Sequence, residues 1–456
     1  MSKHYHFIGI GGIGMSGIAQ LLLRCGMKVS GSDLKAGKIT EELKSLGAEI
    51  FIGHNPENIR DANTVIYSSA IKEDNPEVVE AKNLNIPLKK RAEALAELMR
   101  DKTVITVTGS HGKTTTTSLA SYLLMEAGLL PTVAIGGILN NIDTNACLGN
   151  GSYFVAEADE SDGSFLYYQP QYSIITNIDR EHLDYYGEFN AELDAFKAFI
   201  TKTKDNGCVF CCADDKNLKK LIADCKNRYL LFGLKEEADI YPKNIELKDL
   251  ASKFDCYFRN KFVATFDLAL AGEHNISNSL AVIAWGLELG IDLGIIKKTL
   301  LGYKGARRRL EVKFRDKNYL VIDDYAHHPT EIKATLSAIH GLKRNRIIAV
   351  FQPHRYTRTK LLMEEFSACF DLADYLVVTD IYPAGEPPLE GVNGKGLFDK
   401  IKQRSPDKEM SFLQKEEIVA HILRIMKPGD LIITLSAGDI VKVSDELAKE
   451  LKNRNL

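Results

Sequence analysis

Short apolar runs alternate with amphipathic segments along almost the whole chain. Unbroken or β-branched runs sit near residues 104–107, 153–156, 172–178, 208–212, 319–322, 346–351, 376–379 and 431–435, and most are followed by apolar residues at helical spacing. Runs apolar on both faces suit strands of a parallel sheet covered by helices, so this alternation predicts α/β domains. The first hundred residues add a strand, glycine turn, helix and strand over 4–33, strands at 48–52 and 64–67 and helices at 41–46 and 91–100, a small doubly wound unit. Residues 239–268 differ: their short alternating runs predict an antiparallel appendage.

The stretch VITVTGSHGKTTTT, residues 104–117, reads as a buried strand, a glycine-cornered loop and a helix. Gly109 and Gly112 permit tight turning, and Ser110 and His111 lie between them. In such a loop the helix N-terminal N–H groups face an anion. Lys113 reaches β/γ-phosphates, and the hydroxyl of Thr114 or Thr115 sits on Mg²⁺. The spacing is shorter than the general G-x-x-x-x-G-K-[ST] loop, since Val107 stands at the first glycine position.

A second phosphate-shaped pattern opens the chain. Gly9, Gly11 and Gly14 fit G-x-G-x-x-G between a strand and a helix, and Asp33 follows at the end of the next strand, where a ribose contact is expected. The motif names a diphosphate and leaves open whether it belongs to NAD or to a nucleotide sugar.

Acidic and histidine-bearing turns follow the later strands. In EADESD, residues 157–162, Glu157 comes first after the strand and is the best-placed Mg²⁺ ligand; Asp159, Glu160 and Asp162 read as solvated or substrate-facing. His182 closes the next strand as a candidate metal or phosphate contact. His274, Asn275 and Asn278 share one helical turn and suit an adenine edge, a substrate amide or a helix cap. Asp323, Asp324, His327 and His328 crowd another strand end, with Pro329 starting a helix, and His354, Arg355 and Arg358 form a cationic loop after a further strand.

At 456 residues the chain suggests two to four domains, and a net charge of −3 gives no reason to expect nucleic acid. The one dense basic run, 304–313, is either a solvated face or an anionic-substrate site. No apolar run approaches the roughly 18 residues of a membrane span and no secretory signal opens the chain, so no membrane partner is expected and the cytoplasm is the simplest location. Eight scattered cysteines make no disulfide framework; Cys208, Cys211 and Cys212 read as strand core rather than as zinc ligands.

Taken together, GIGGIGMSGIA (9–19), VSGSD (29–33), TGSHGKTTT (108–116), EADESDGSF (157–165), HN (274–275), RR-x-E (308–311), DDYAHHP (323–329) and PHRYTRT (353–359) make the whole chain resemble the Mur ligases. The resemblance implies an α/β protein of three domains. They are a Rossmann-like UDP-sugar domain (1–102), a central P-loop ATPase-type domain with a mostly parallel sheet (103–304), and a C-terminal Rossmann-like domain that carries the amino acid (305–456). It implies ATP- and Mg²⁺-dependent joining of L-alanine to the lactyl carboxylate of UDP-N-acetylmuramate through an acyl phosphate, a step of peptidoglycan synthesis.

By the same resemblance Gly109 to Thr115, His274, Asn275, Arg308 and Asp323 meet ATP, with Lys113 on its phosphates, and Thr114, Glu157 and His182 serve magnesium. Gly11, Gly12, Ile13, Gly14, Asp33, Ser68, Ser69, Glu157, His182, His327, His354, Arg355 and Arg358 face the substrates, and His327 is the candidate general base. One departure is Ser436 where the family usually has glycine in Gly-Ala-Gly-Asp. Two alternatives are a ligase of the same family that attaches a preformed peptide and, from another class, a nicotinamide-dependent nucleotide-sugar dehydrogenase. The latter leaves the Lys113 loop unexplained.

Overall fold

The computed structural model describes residues 3–68, 70–342 and 344–454. Ser69, expected to face the sugar nucleotide, lies outside the described residues. The chain divides into two compact units: Met1–Lys243 with Asp255–Phe266 and Ser277–Lys304, and Asn244–Phe254 with Asp267–Ile276 and Gly305–Leu456.

The first unit holds a five-stranded sheet in the order Glu49–Ile52, Lys28–Asp33, His4–Ile8, Thr64–Tyr67, Leu88–Lys90, parallel throughout. Both neighbours of the first strand are reached by crossovers in opposite directions. Its C-terminal end is therefore a switch point, where open α/β sheets leave a crevice for ligands. The Ile13–Arg24 helix begins there, one glycine turn after Ile8.

The second sheet of this unit centres on Thr103–Thr108, flanked in parallel by Tyr153–Glu157 and Tyr172–Ile175. Outward on one side lie Cys208–Cys212, Tyr229–Phe232 and Ile240–Lys248; on the other lie Thr132–Leu139 and the antiparallel Thr144–Cys147. Cys208, Cys211 and Cys212 are buried in their strand, and burial pushes the Cys208 and Cys212 thiols up to about 11. The alternating region forms Ile240–Lys248, Ala251–Phe258 and Lys261–Leu268. The last two strands are joined through Arg259 and Asn260 at φ 48° and 63°, a left-handed pair typical of a two-residue antiparallel hairpin.

The second unit holds a six-stranded sheet ordered Glu311–Arg315, Leu320–Asp324, Asp430–Leu435, Arg346–Phe351, Tyr375–Val378, Glu409–Phe412, parallel except for the first pair. Along Arg346–Phe351 the side chains alternate between two cores: Ile347, Ala349 and Phe351 join Leu336, Phe366 and Leu397, whereas Ile348 and Val350 join Ile418, Ile422 and Leu447. Burial on both faces explains why the sequence of this strand shows no polar alternation.

The expected strand 172–178 ends at Ile175. Beyond it, Thr176 and Asn177 bind the His111 carbonyl through Oγ1 and Nδ2, at 2.6 and 3.0 Å. The helix expected at 41–46 begins at Lys38 and ends at Ser45, and that expected at 91–100 ends at Leu98. Among the described residues, no helix is long and apolar enough to cross a membrane.

Candidate functional site

The phosphate loop follows the strand Thr103–Thr108 directly. Gly109 has φ +122°, and a Cβ there would come within 2.3 Å of Thr176 Oγ1 and 2.8 Å of the Asn177 carbonyl oxygen. Gly112, left-handed at φ +84°, caps the Lys113–Glu126 helix, and a Cβ there would meet Asn278 Oδ1 at 2.6 Å. Between them, the Ser110 and His111 N–H groups donate to the backbone oxygen and Oδ1 of Asn177. The His111 ring sits 3.0 Å from Asp179 Oδ2, and the Asp179 N–H donates to Ser110 Oγ. Thr114 and Thr115 are buried on the first helical turn.

Lys113 Nζ donates to the Gly109 and Ser110 carbonyls and to Glu160 Oε1 at 2.6, 3.1 and 2.7 Å. Glu160, expected to face solvent or substrate, is instead completely buried, and it accepts the lysine from beneath the loop. Burial alone would lower the Lys113 pKa, but Glu160 and Asp159 outweigh it and hold the ammonium well above its usual range. His182, left-handed at φ 56°, places Nε2 3.5 Å from both Glu160 Oε1 and Glu181 Oε2. Burial lowers its pKa, yet Glu160 wins and the net shift is upward.

Glu157 Oε1 accepts from Thr114 Oγ1 at 3.2 Å and Oε2 from the Gly136 N–H at 2.9 Å. Burial pushes this carboxyl up against the pull of Lys113. A partly buried carboxylate whose pKa is raised, beside a threonine hydroxyl, is chemically suited to a hard cation. The ligand atoms of Glu160, Glu181 and His182 also lie within 4.8 Å of one another.

Sequence reasoning missed several contributors here. Gly136 and Gly137 admit Glu157 and Thr114: Cβ atoms would meet them at 2.6 and 2.9 Å. A glycine pair inside a strand was the available signal. Glu192 is buried, and its pKa is pushed up to about 8 by burial and by Glu160 and Glu181, against His182. Nothing in its helical sequence context marks it.

At the first glycine turn, the Gly9 and Ile10 N–H groups donate to the Ser32 carbonyl at 2.8 and 3.0 Å, and the Gly11 N–H donates to Asp33 Oδ2 at 2.9 Å. Asp33, expected at a ribose, thus also shapes the turn. Gly12 caps the helix, and the Ile13 carbonyl accepts from Asn145 Nδ2 at 2.7 Å. Ser68 Oγ lies 3.8 Å from where a Gly9 Cβ would stand. Gly14 admits Arg91: a Cβ there would be 2.8 Å from Nη1, and Arg91 Nη2 reaches Asp159 Oδ2 at 3.5 Å. One side chain therefore runs from the glycine turn to the acidic turn beside Lys113.

The second unit gathers the other expected residues. Arg308 donates from Nε to the buried Asp323 at 2.9 Å, from Nη1 to the Gly438 carbonyl at 3.0 Å and from Nη2 to the Ser436 carbonyl at 2.7 Å. The basic run thus contributes an inward-turned arginine. His327 Nδ1 lies 3.0 Å from the Tyr325 carbonyl, which assigns the proton there and leaves Nε2 as an acceptor. Its ring is 5.8 Å from that of His354, which stacks on Tyr382 and has Arg358 Nη1 3.3 Å from Nδ1. Arg355 Nε pairs with Glu386 Oε1 at 3.1 Å. Burial, with Arg309 adding to it, lowers His274 to about 4, and Asn275 Nδ2 donates to the Ala271 carbonyl.

Comparison with known proteins matches three consecutive family descriptions: Mur ligase family, catalytic domain, over residues 4–103; Mur ligase middle domain over 107–286; and Mur ligase, glutamate ligase domain, over 308–438. A UDP-N-acetylmuramate–L-alanine ligase of Geotalea uraniireducens is 47% identical over 448 residues, 98% of either chain. One of Aquifex aeolicus is 46% identical over 450 residues, again 98% of either chain. Among solved structures, the UDP-N-acetylmuramate-alanine ligase of Thermotoga maritima superposes with TM-score 0.85 at 31% identity, covering 99% of both chains. A murein peptide ligase of Psychrobacter arcticus gives 0.70 at 25%, also covering 99% of both.

Proposed function

Because the chain belongs to the Mur ligase family, we propose that it joins L-alanine to the lactyl carboxylate of UDP-N-acetylmuramate, converting ATP to ADP and phosphate. Full-length relatives bearing that name at 47% and 46% identity support the choice of alanine over a preformed peptide, since the peptide ligase stands at 25%. The observation that carries the reading is the Arg91 link from Gly14 to Asp159. This contact ties the first glycine turn to the acidic turn beside Lys113 and so supports a reading in which a sugar-borne acid attacks a γ-phosphate. A dehydrogenase has no use for that second loop.

In this mechanism the loop amides and Lys113 cradle the ATP phosphates, and the ammonium meets the charge that spreads over the transferring phosphoryl group. Thr114, Glu157 and His182 would hold Mg²⁺, which when bound neutralises phosphate charge and orients the γ-phosphoryl group. The lactyl carboxylate oxygen attacks γ-phosphorus, the bond to the β-phosphate oxygen breaks, and an acyl phosphate and ADP result. The alanine amine then adds to the acyl carbonyl, and collapse of the tetrahedral intermediate expels phosphate. His327 takes the amine proton: its Nδ1–H faces the Tyr325 carbonyl, so Nε2 offers the lone pair. Burial holds this ring neutral at physiological pH.

The test is direct. Protein, ATP, Mg²⁺, UDP-N-acetylmuramate and L-alanine are incubated, and the product is weighed by mass spectrometry with a tripeptide as competing acceptor. The mass of UDP-N-acetylmuramoyl-L-alanine is expected; a tripeptide adduct in its place, or reduction of NAD without amide formation, overturns the reading.

A further inference from the structure

Beneath the first glycine turn lies a polar cluster that no expected site residue explains. Glu77 is completely buried on the Pro76–Asn83 helix. Its Oε2 accepts from Ser32 Oγ at 2.6 Å, and its Oε1 accepts from Asn58 Nδ2 at 2.6 Å and from the Asn55 N–H at 3.2 Å. His6 Nε2 and His54 Nδ1 stand 3.4 and 3.6 Å from Oε2. Burial raises the pKa of this carboxyl, but His6, Ser32 and Asn58 together outweigh it, so it stays ionised.

Hydrogen-bond direction strengthens this assignment. His4 Nδ1 faces the Asp61 carbonyl and must carry a proton, so His4 Nε2 accepts from Ser30 Oγ. Ser30 then accepts from His6 Nδ1, 2.8 Å away. His6 thereby turns its Nε2 toward Glu77 Oε2, 3.4 Å away. The cost of burying the carboxylate is met by its donors, Ser32 Oγ, Asn58 Nδ2 and the Asn55 N–H.

The partners of Glu77 say what it organises. Ser32, fixed through Oγ, offers its carbonyl to the Gly9 and Ile10 N–H groups. Asn58, fixed through Nδ2, also approaches the Gly53 carbonyl, and the Gly53 N–H donates to the Asp33 carbonyl. Asp33 in turn accepts the Gly11 N–H. Both residues that shape the glycine turn are therefore braced by one carboxylate that does not itself reach the turn.

We propose that Glu77 is a positioning residue for the sugar nucleotide: through Ser32 and the 53–58 loop it holds the 9–12 turn open to a diphosphate. The inference rests on the UDP-N-acetylmuramate reading above. Its test uses the full-length chain, wild type, Glu77→Gln and Ser32→Ala, with calorimetric binding of UDP-N-acetylmuramate and separate KM values for that substrate and ATP.

Glu77→Gln is expected to weaken UDP-N-acetylmuramate about tenfold in both Kd and KM, the scale of a lost charge-assisted hydrogen bond, with the KM for ATP unchanged. Ser32→Ala shifts the same constants in the same direction by less, and it decides the matter if Glu77→Gln does not fold. A purely structural role would lower the folded fraction and kcat with KM and Kd untouched; that result in a folded variant overturns the proposal. Failure of the wild type to bind UDP-N-acetylmuramate overturns the functional reading as well, which separates the two.

Discussion

Lys113 Nζ lies 2.7 Å from Glu160 Oε1, and that carboxylate has no exposed surface. The lysine therefore has a fixed anionic anchor under the loop in addition to the phosphates proposed above it. Lys113→Ala is expected to abolish product formation by mass spectrometry. It leaves calorimetric affinity for UDP-N-acetylmuramate within about twofold, since none of the lysine's hydrogen bonds goes to the 9–14 turn. Equal loss of both would contradict the division of labour between the two glycine turns.

Gly109 admits no side chain, because a Cβ would strike the backbone of Asn177 as well as Thr176. Gly109→Ala is expected to cost about 2 kcal/mol or more in denaturant melts and to eliminate ATP binding, since the residue combines a backbone clash with a left-handed φ. Normal ATP affinity in this variant would show that the loop can rearrange without losing its function.

Thr114 and Glu157 are 3.2 Å apart and open toward the same first helical turn. Glu157→Gln is expected to raise the Mg²⁺ concentration for half-maximal rate by about 10- to 100-fold. Chelation with EDTA abolishes turnover in both proteins. A Mg²⁺ titration that does not move in the variant would remove Glu157 from the metal site.

Arg308 spends all three of its donating nitrogens inside the second unit, on Asp323, Ser436 and Gly438. Arg308→Ala strands the buried Asp323 carboxylate, and a loss of about 3 kcal/mol or more is expected from chemical denaturation. Arg308→Lys should recover little, because an ammonium cannot reproduce the planar fork. An unchanged denaturation midpoint in Arg308→Ala would refute this structural share of its role.

The second unit should weaken in acid. His274 is lowered to about 4 by burial and Arg309, and His354 to about 3 by burial and then Arg358, Arg355 and Arg308. Unfolded histidine titrates near ~6.5, so between that pH and 4 the unfolded chain binds protons these folded rings refuse. Their contribution is complete above 6.5 and is lost as pH falls. Asp324, raised to about 6 mainly by burial, acts oppositely: the folded state holds its proton from about 6 down to the unfolded value near ~3.9. With His327 and His421 also lowered, four histidines outweigh one aspartate. Denaturant melts from pH 7 to 4 should show falling stability, with a shallower slope in His354→Asn; equal slopes would exclude His354 as a contributor.

Much of this was legible in the chain because strand ends and glycine turns are local. The 104–117 loop and the 4–33 strand–turn–helix–strand unit carry their geometry in consecutive residues, and both form where the pattern predicts. What escaped were partners brought in by topology. Glu160 looks like any acid in an acid-rich turn until the Tyr172–Ile175 strand brings His182 toward it; Gly136 and Gly137 matter only because Glu157 and Thr114 lie across from them. Glu77 has no local mark at all, since its function is written in Ser32, Asn55 and Asn58, far away in sequence.

Arg91 threads past Gly14 to Asp159 through a gap that any larger residue at 14 would close. For protein engineers this makes the amino-terminal module a poor candidate for naive exchange. A chimaera that imports a relative's first hundred residues inherits a working joint only if its glycine and its arginine arrive together and find an acid waiting at position 159.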